Sequence, residues 1–517
     1  MKLAYVIGVD IGTTSTKSIV FDLEGKIVGR YLVDYPLYTP EPGAAEHNPD
    51  EVFDAVTKTI AQSIHKAGID PRHIRCVSFS SAMHTLIGVD DHGQPLTGCL
   101  SFADTRSFAQ TRHIREHLNG HALYLRTGTP LHPMAPLSKL RWLRNERGDI
   151  FNRVYKFVSI KEYVLARLFN QYVVDYSIAS ATGLFNWQQF AWDQEALRVA
   201  GVKEAQLSTP RPPTHMLTGL DRAWADTLNL PVNVPFVIGS SDGVLSNIGL
   251  GAVRPGVMAA TIGTSGAVRR MVHHPMIDPE GRLFCYALTE DRWVIGGPVN
   301  NGGLAFRWVR DELGEAEVAT AKRLGKDLYE VLTEVAERVP PGSEGLIFLP
   351  FLTGERAPYW NANARGMFFG LSLNHRKEHM IRSVLEGVIY SMYSVALALE
   401  SLAGEAKEIR ASGGFSRSPL WRQILADVFG NEVTIPVHYE STCLGAAILG
   451  MWALGEIDSF EEAQDLAGAV NRHRPIVENV NTYRKLMAIY RRVYDHLLDE
   501  FEAIAEFQRS VGRHGTN

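Results

Sequence analysis

Two similar strand–turn–strand segments constrain the fold of this chain more than any other feature of its sequence. The first segment, residues 4–22, places a turn of small residues between two apolar runs. The second segment, residues 257–268, repeats its Ile11-Gly12-Thr13 as Ile262-Gly263-Thr264. Three residues can recur by chance, but a repeat at this spacing is typical of two similar lobes and not of a solenoid. The pattern therefore predicts a duplicated α/β fold.

Length supports the same division. A chain of 517 residues with 45% hydrophobic content is too long for one core and suits two domains of roughly 250 residues each. We place the boundary near Gly251, which gives an N-terminal domain at residues 1–251 and a C-terminal domain at 252–517. Two lobes imply a cleft that could hold a ligand.

Local signals add helices to the strands. Asn48 is a predicted cap with Pro49 at the first helical position, and apolar residues at helical spacing continue to Ile64. Residues 408–411 predict a strand, 412–416 a glycine turn, and 419–427 a helix. The tail from Tyr483 to Phe507 predicts one surface helix.

Charge and cysteine content limit the partners. The net charge is -5 and the basic residues form no block, so the sequence gives no electrostatic footprint for nucleic acid or a membrane surface. A small molecule is the expected partner. The four cysteines are too far apart for a zinc site or a disulfide framework, and we expect buried thiols in a reducing compartment. They are Cys76, Cys99, Cys285 and Cys443.

The sequence shows neither a signal peptide nor a membrane-spanning segment. Asp10 interrupts the first apolar run and no cleavage site of small residues follows it, which argues against a signal peptide. The apolar runs fall short of the roughly 18 residues that a membrane span needs. The sequence therefore predicts a cytoplasmic protein.

The first turn has the composition of a phosphate-binding loop. Gly12 allows close approach of the backbone to a ligand, Lys17 can neutralise a polyphosphate, and Asp10 at the strand end can hold Mg²⁺. Hydroxyl and amide donors follow one another in this arc at Thr13, Thr14, Ser15 and Thr16. An ordinary hairpin is the alternative for this turn alone.

Two further turns favour nucleotide binding over that alternative. The related turn at Gly263-Thr264-Ser265-Gly266 and the pair Gly413-Gly414 supply donors in the second half of the chain, where a nucleotide between two lobes would need them. The sequence contains no Gly-x-x-x-x-Gly-Lys-Ser/Thr motif and no Gly-x-Gly-x-x-Gly after a strand. P-loop and Rossmann nucleotide-binding folds are therefore not supported.

Together these motifs resemble the FGGY family of carbohydrate kinases over nearly the whole chain. The family's two long signatures are similar to residues 134–146 and 366–386, in that order. The resemblance also covers residues 10–14, 240–243, 354–360 and 413–414. It implies two ribonuclease-H-like lobes of the kind found in actin, hexokinase and the Hsp70 ATPase, with ATP and Mg²⁺ as cofactors.

The resemblance also implies roles for particular residues. Asp242 matches the family's catalytic base, and a carboxylate near a hydroxyl can take its proton during phosphoryl transfer. Without the resemblance, Ser240-Ser241-Asp242-Gly243 could be an ordinary turn. Ser418 would lie near the adenosine. The residues expected around the phosphates are Gly12, Thr13, Thr14, Ser15 and Lys17 from the first half of the chain, and Gly263, Thr264, Gly303, Gly413 and Gly414 from the second.

Substrate contacts are expected in the first half of the chain. Met83 and His84 follow an apolar strand at its carboxyl end, where α/β folds commonly bind ligands, although a lone histidine is more often structural. Asp104 and Arg106 belong to a segment that usually begins with Trp in the family but begins here with Phe102, and the pair could brace the substrate loop. Met134 opens the first signature and is also an expected contact.

Within the family, residues 80–84 and 240–243 are most similar to those of members that phosphorylate gluconate. Gluconate is therefore the expected acceptor, and its carboxylate needs a cation or several backbone donors, with Arg106, Lys139 and His84 as candidates. D-Xylulose or another pentulose or polyol remains an alternative. A nucleotide-dependent binding protein of the actin and Hsp70 type is an alternative from another class. Members often dimerise, so a homodimer stays open.

Overall fold

The computed structural model describes residues 4–436, 440–462, 466 and 468–514, which form mixed α/β structure. The strands are β1 Tyr5–Ile11, β2 Ser15–Asp22, β3 Ile27–Asp34, β4 Glu46–His47, β5 Ile74–Ser81, β6 Ile87–Val89, β7 Cys99–Leu100, β8 Lys156–Val158, β9 Val173–Asp175, β10 Phe185–Asn186, β11 Ala191–Trp192, β12 Thr209–Arg211, β13 Met216–Leu217, β14 Phe236–Ser241, β15 Val257–Ile262, β16 Gly266–Val272, β17 Phe284–Ala287, β18 Trp293–Val299, β19 Ile347–Leu349, β20 Met367–Phe369, β21 Glu408–Ser412, β22 Val433–Pro436 and β23 Ala469–His473.

Helices alternate with these strands along most of the chain. They are α1 Pro49–Ala67, α2 Phe108–His117, α3 Gly120–Thr127, α4 Pro136–Glu146, α5 Gly148–Phe151, α6 Ile160–Phe169, α7 Tyr176–Ala181, α8 Gln194–Ala200, α9 Arg222–Leu228, α10 Asp242–Gly249, α11 Gly303–Trp308, α12 Glu315–Leu324, α13 Leu328–Glu337, α14 Lys377–Ala403, α15 Pro419–Phe429, α16 Ser441–Ala453, α17 Val477–His496 and α18 Leu498–His514.

The chain divides into two compact units that are not continuous in sequence. The first unit comprises Met1–Pro255, Met271–Ile295 and Glu440–Gly468, and the rest of the chain forms the second. The predicted boundary at residues 251 and 252 lies close to the end of the first of these segments. The division into two continuous domains nevertheless stays a prediction, because the first unit also takes Met271–Ile295 and Glu440–Gly468 from beyond that boundary.

A six-stranded sheet forms the centre of the first unit, in the order β13-β14-β5-β1-β2-β3. Strands β14, β5 and β1 are parallel to one another, and β1, β2 and β3 are antiparallel. Strands β1, β5 and β14 are almost entirely buried. Near-continuous apolar runs such as Tyr5–Val9 are what a sheet covered on both faces requires.

Helices cover both faces of this sheet. On one face, α1 begins as predicted, because the Asn48 side chain accepts hydrogen bonds from the Asp50 and Glu51 amides, and its buried face includes Val56 and Ile60. On the other face, α10 and α16 pack against each other and against the sheet. This helix pair crosses closely, since a Cβ on Gly445 would lie 1.9 Å from the Leu245 carbonyl oxygen.

The second unit repeats the strand arrangement of the first. Strand β15 pairs antiparallel with β16 and parallel with β21, and β21 pairs parallel with β22, just as β1 pairs with β2 and β5, and β5 with β14. The predicted strand, glycine turn and helix appear here as β21, the turn at Gly413 and α15. The predicted duplication is therefore confirmed at the level of topology.

Helix α14 is long and apolar enough to cross a membrane by length and composition, but 83% of its most apolar window is buried within the fold. It is the core helix of the second unit. The tail prediction was wrong in part, since the helix is interrupted at Leu497 and Tyr483 and Tyr490 are buried. Their spacing of two helical turns places both aromatic rings on the face that packs against Tyr390.

All four cysteines are buried and free, as predicted.

Candidate active site

Three parallel strands of the first unit bring the predicted catalytic residues to one edge of the sheet. Asp10 of β1 pairs with Ser80 of β5, which pairs with Ser240 of β14. Because parallel strands end on the same side, the segments that follow β5 and β14 leave from this edge. Met83 and His84 lie in the first of these segments, and Asp242 begins α10 directly after the other.

Asp10 and Asp242 are close enough for their charges to interact. Burial, and then the negative charge of Asp242, raise the pKa of Asp10 to about 7, although Ser80 and the positive charge of Lys17 act to lower it. The Asp10 Oδ1 atom is buried and has no hydrogen-bond partner among the described residues. The Asp242 carboxylate accepts a hydrogen bond of 2.6 Å from the Gly243 amide.

This carboxylate arrangement fits Mg²⁺ in the presence of phosphate. An unpartnered buried oxygen is what a cation would satisfy, and magnesium prefers few carboxylates together with phosphate oxygens and water. Among the residues that the structure describes, no group of three or more His, Cys, Asp or Glu side chains could hold a metal by itself. The site therefore fits a metal that arrives with a nucleotide.

The turn between β1 and β2 is held by its backbone. The Gly12 amide donates to the Ser15 carbonyl over 3.0 Å, and Tyr35 donates from its hydroxyl to the Gly12 carbonyl over 2.6 Å and from its amide to the Thr14 carbonyl over 3.1 Å. Thr13 and Ser15 are half-buried and Thr14 is exposed. The predicted phosphate-binding residues thus lie on a rigid turn whose donors reach the surface.

Lys17 forms an ion pair with Glu440, a residue that the sequence analysis missed. Burial alone would lower the pKa of Lys17, but the hydrogen bond and charge of Glu440 raise it above its ordinary value. Glu440 directly precedes α16, which packs against α10, β1 and β2, and it meets Lys17 near the beginning of β2. The two partners are 423 positions apart in the sequence, which explains why no local pattern connects them.

The predicted substrate loop is supported by a buried lysine. His84 has a φ of 65°, which is unusual for a residue other than glycine, and its Nδ1 lies 2.8 Å from the Ala181 carbonyl oxygen. Lys139 is fully buried and donates to the carbonyls of His84 and Ser101, each over 2.6 Å. Burial lowers the pKa of Lys139 to about 7. These contacts give Lys139 a supporting role and leave it poorly placed to bind a substrate carboxylate.

The predicted pair of Asp104 and Arg106 is also present, with 2.7 Å between Arg106 Nη2 and Asp104 Oδ2. Arg106 forms further ion pairs with Glu41 and Glu46, and its guanidinium carbon lies 4.4 Å from the centroid of the Trp142 ring. Three carboxylates already offset its charge. Arg106 therefore braces this loop and is a poor candidate for the substrate carboxylate.

Met134 is fully buried and Met83 is partly buried. Their substrate contacts remain predictions.

In the second unit, three glycine-containing turns lie side by side. The Gly303 amide donates to the Gly263 carbonyl over 2.7 Å, and the Gly302 amide donates to the Thr264 carbonyl over 3.2 Å. Gly413 has a φ of 108°, and a Cβ at this position would lie 2.2 Å from the Ile262 carbonyl oxygen. The structure thus brings together four of the predicted phosphate-binding residues of this half, namely Gly263, Thr264, Gly303 and Gly413.

The other two predicted residues differ in their surroundings. A Cβ on Gly414 would meet nothing within 4 Å, so this glycine leaves open space beside the turn. Ser418 caps α15, because its hydroxyl accepts a hydrogen bond of 3.2 Å from the Trp421 amide. Its predicted proximity to adenosine is compatible with this position and remains untested.

Comparison with known proteins shows which family this chain matches. Two family models match the chain, the N-terminal domain of the FGGY family of carbohydrate kinases at residues 5–249 and the C-terminal domain of the same family at residues 258–454. The chain is 51% identical over 512 residues to the gluconokinase of Bacillus subtilis (strain 168), covering 99% of each chain.

Solved structures agree on the fold. A structure described as gluconate kinase from Lactobacillus acidophilus superposes with a TM-score of 0.92 and 36% identity, covering 97% of this chain and all of the other. A structure described as ligand-bound xylulose kinase from the same organism has the same TM-score, identity and coverage. The predicted fold of actin and hexokinase type is thereby confirmed, while these two structures do not distinguish between acceptors.

Proposed function

Because this chain belongs to the FGGY family of carbohydrate kinases, we propose that it transfers the γ-phosphoryl group of ATP to D-gluconate and forms 6-phospho-D-gluconate. One observation carries the choice of gluconate, namely 51% identity to a gluconokinase across 99% of both chains. The members of this family are carbohydrate kinases that use ATP, so phosphorylation of a sugar or sugar acid does not depend on that choice.

Asp242 is the catalytic base in this proposal. Its carboxylate takes the proton of the attacking hydroxyl as the oxygen bonds to the γ-phosphorus and the bond to the β-phosphate breaks. MgATP, when bound, supplies the electrophilic phosphorus and a partly neutralised polyphosphate. Asp10 would hold the metal directly or through water, and Lys17, which pairs with Glu440, would offset negative charge on the phosphates.

Turns of small residues hold the nucleotide in this proposal. Backbone amides and hydroxyls of Thr13, Thr14 and Ser15 donate to phosphate oxygens, and the turns at Gly263-Thr264, Gly303 and Gly413-Gly414 are the further proposed donors. Turns of this type make concave sites for anions because successive amides point the same way.

The segment at Met83 and His84 contacts the acceptor. Its support by Lys139, together with the bracing of the neighbouring loop by Arg106, keeps the segment rigid, and a rigid segment positions a hydroxyl more accurately. The acceptor's carboxylate is then bound by backbone donors or by His84, because Lys139 and Arg106 have other partners.

D-Xylulose is the second candidate acceptor. It is favoured by the structure described as a ligand-bound xylulose kinase, which resembles this chain as closely as the gluconate kinase does. For the location of the protein we propose the cytoplasm, where its nucleotide and a metabolite acceptor would both be found.

The test is ADP release with MgATP against a panel of gluconate, xylulose, ribulose, glycerol and other polyols, measured with a coupled assay. We expect kcat/KM for gluconate to exceed that for every other acceptor by at least about 100-fold, a difference that hydrogen-bonding sites readily achieve. A higher kcat/KM for xylulose would overturn the choice of gluconate alone. No stimulation by any acceptor would contradict the kinase function.

A further inference from the structure

A buried ion pair lies near the end of β14, the strand that directly precedes Asp242. Lys161 of α6 and Asp175 of β9 are separated by 2.6 Å between Nζ and Oδ2, and their side chains are 1% and 0% exposed. Removing two charges from water is costly, and a buried pair of this kind often stabilises a fold no better than apolar residues would. Its position therefore calls for an explanation other than stability.

The pair is connected to the two residues that precede Asp242. Lys161 donates from Nζ to the Ser240 carbonyl over 3.1 Å. The hydroxyl of Ser177 lies 2.7 Å from the Ser240 hydroxyl and accepts a hydrogen bond of 2.8 Å from the Ser241 amide. Three separate contacts thus fix the end of β14.

Ser177 is the central member of this network. A serine hydroxyl has one hydrogen to donate and two lone pairs to accept with. Its hydrogen goes to Asp175 Oδ1 over 2.7 Å, so the Ser241 amide and the Ser240 hydroxyl both donate to its oxygen. All hydrogen-bonding positions of the Ser177 hydroxyl are therefore occupied, and its orientation is determined by the Asp175 carboxylate, which pairs with Lys161.

Asp175 also anchors the helix that carries Ser177. It caps α7 by accepting hydrogen bonds from the Ser177 amide over 3.0 Å and the Ile178 amide over 3.1 Å. Lys161 lies close enough to Asp242 for their charges to interact. Helix α7, the ion pair and the end of β14 therefore form one rigid connection beneath the catalytic edge.

We propose that Lys161, Asp175 and Ser177 are positioning residues that hold the end of β14 so that the Asp242 carboxylate faces the acceptor hydroxyl. This role rests on the proposed function, in which Asp242 is the base. A base must lie within hydrogen-bond reach of the proton that it takes, and a displacement of about 1 Å can reduce turnover by about 100-fold.

The first test is Ser177→Ala, which removes the central hydroxyl and leaves the ion pair in place. We expect kcat to fall about 10- to 100-fold, with the KM values for gluconate and MgATP within about twofold of the wild-type values, because binding contacts are retained. Ser63→Ala is the matched control. The Ser63 hydroxyl is also buried but donates to the Ile60 carbonyl of its own helix, and we expect wild-type kcat.

A double-mutant cycle distinguishes an effect of Ser177 on the position of Asp242 from general damage to the structure. In an Asp242→Asn background, Ser177→Ala should lower the residual kcat by less than about twofold, because residues that act as a unit have non-additive effects. Equal losses in both backgrounds, or wild-type kcat in folded Ser177→Ala, would overturn the inference. If Ser177→Ala does not fold, Asp175→Asn enters the same cycle with the same expectations.

The wild-type assay keeps the two proposals apart. If wild-type protein prefers another acceptor of the panel, the cycle is run with that acceptor, and only the choice of gluconate has failed. If wild-type protein turns over gluconate but the cycle is additive, the positioning role has failed and the proposed function stands. Wild-type protein that is inactive with every acceptor would refute both.

Discussion

Asp10 and Asp242 have different surroundings although they share one edge of the first sheet. Asp242 begins a helix and follows a strand end that is fixed by hydrogen bonds. Asp10 lies within a strand, has a buried oxygen without a hydrogen-bond partner among the described residues, and has a raised pKa. This difference in surroundings suits Asp242 to proton transfer and Asp10 to a metal that arrives with its nucleotide.

Replacing the base tests the first role. Asp242→Asn keeps the size of the side chain but removes its capacity to take a proton, so we expect kcat to fall about 10²- to 10⁴-fold. The measurement is coupled ADP release at saturating MgATP and gluconate, with thermal unfolding to verify the fold. A folded variant that retains more than about a tenth of wild-type kcat would show that Asp242 is not the base.

The raised pKa of Asp10 predicts a pH-dependent requirement for magnesium. With a pKa of about 7, the carboxyl is ionised at pH 8 and mostly protonated at pH 6, and a protonated carboxyl does not bind a cation. The Mg²⁺ concentration for half-maximal activity should therefore rise as pH falls below 7, by up to about tenfold for each pH unit. Titrations with Mg²⁺ at a fixed ATP concentration, at several pH values from 6 to 8, measure this half-maximal concentration.

The same experiment on Asp10→Asn provides the comparison. This variant should need more Mg²⁺ at pH 8 and lose the part of the pH dependence that comes from Asp10. A wild-type Mg²⁺ requirement that does not change across this pH range would argue against Asp10 as the metal-holding residue.

At the scale of single elements, the turns of the second unit depend on close backbone approach. Gly413 has a left-handed φ and no room for a Cβ beside the Ile262 carbonyl, whereas Gly414 has open space. These neighbouring glycines have different physical requirements. The first is needed to form the turn, and the second keeps the surface beside it open.

We expect Gly413→Ala to destabilise the protein by more than about 1–3 kcal/mol, which is the cost of a sparsely populated conformation with positive φ before any clash is included. It should also raise the KM for ATP, because the turn must shift. Thermal unfolding and ATP titration measure the two effects. Gly414→Ala is the matched control for stability and should unfold within about a degree of wild type, and equal destabilisation by both substitutions would contradict this account of the turn.

Elements with local signals could be predicted from the sequence. The first helix has its cap at Asn48, its proline at the first position and its apolar stripe within one short window, and the structure has each of them. The sequence analysis did not predict where that helix ends or that the tail helix is interrupted at Leu497. The packing of Tyr483 and Tyr490 against Tyr390 is a tertiary effect that spacing along the chain does not encode.

At the scale of the whole molecule, the repeated Ile-Gly-Thr turn correctly predicted a duplicated topology, because each copy connects the two strands of an antiparallel pair. Residues that act through distant partners could not be predicted. Glu440 meets Lys17 and Asp175 meets Lys161 through helix packing and strand order, and none of these pairs forms a motif. Their identification required the three-dimensional structure, whereas the turns and the proposed catalytic aspartate each follow a strand in a recognisable pattern.

The central claim is that the γ-phosphoryl group of ATP is transferred to gluconate, and direct detection of the product by ³¹P NMR tests it best. With wild-type protein, MgATP and gluconate, we expect a phosphomonoester signal of 6-phosphogluconate to appear in step with ADP, and no such signal with Asp242→Asn over the same interval. ADP and inorganic phosphate without a phosphomonoester, or a phosphorylated product from xylulose but not from gluconate, would contradict the account.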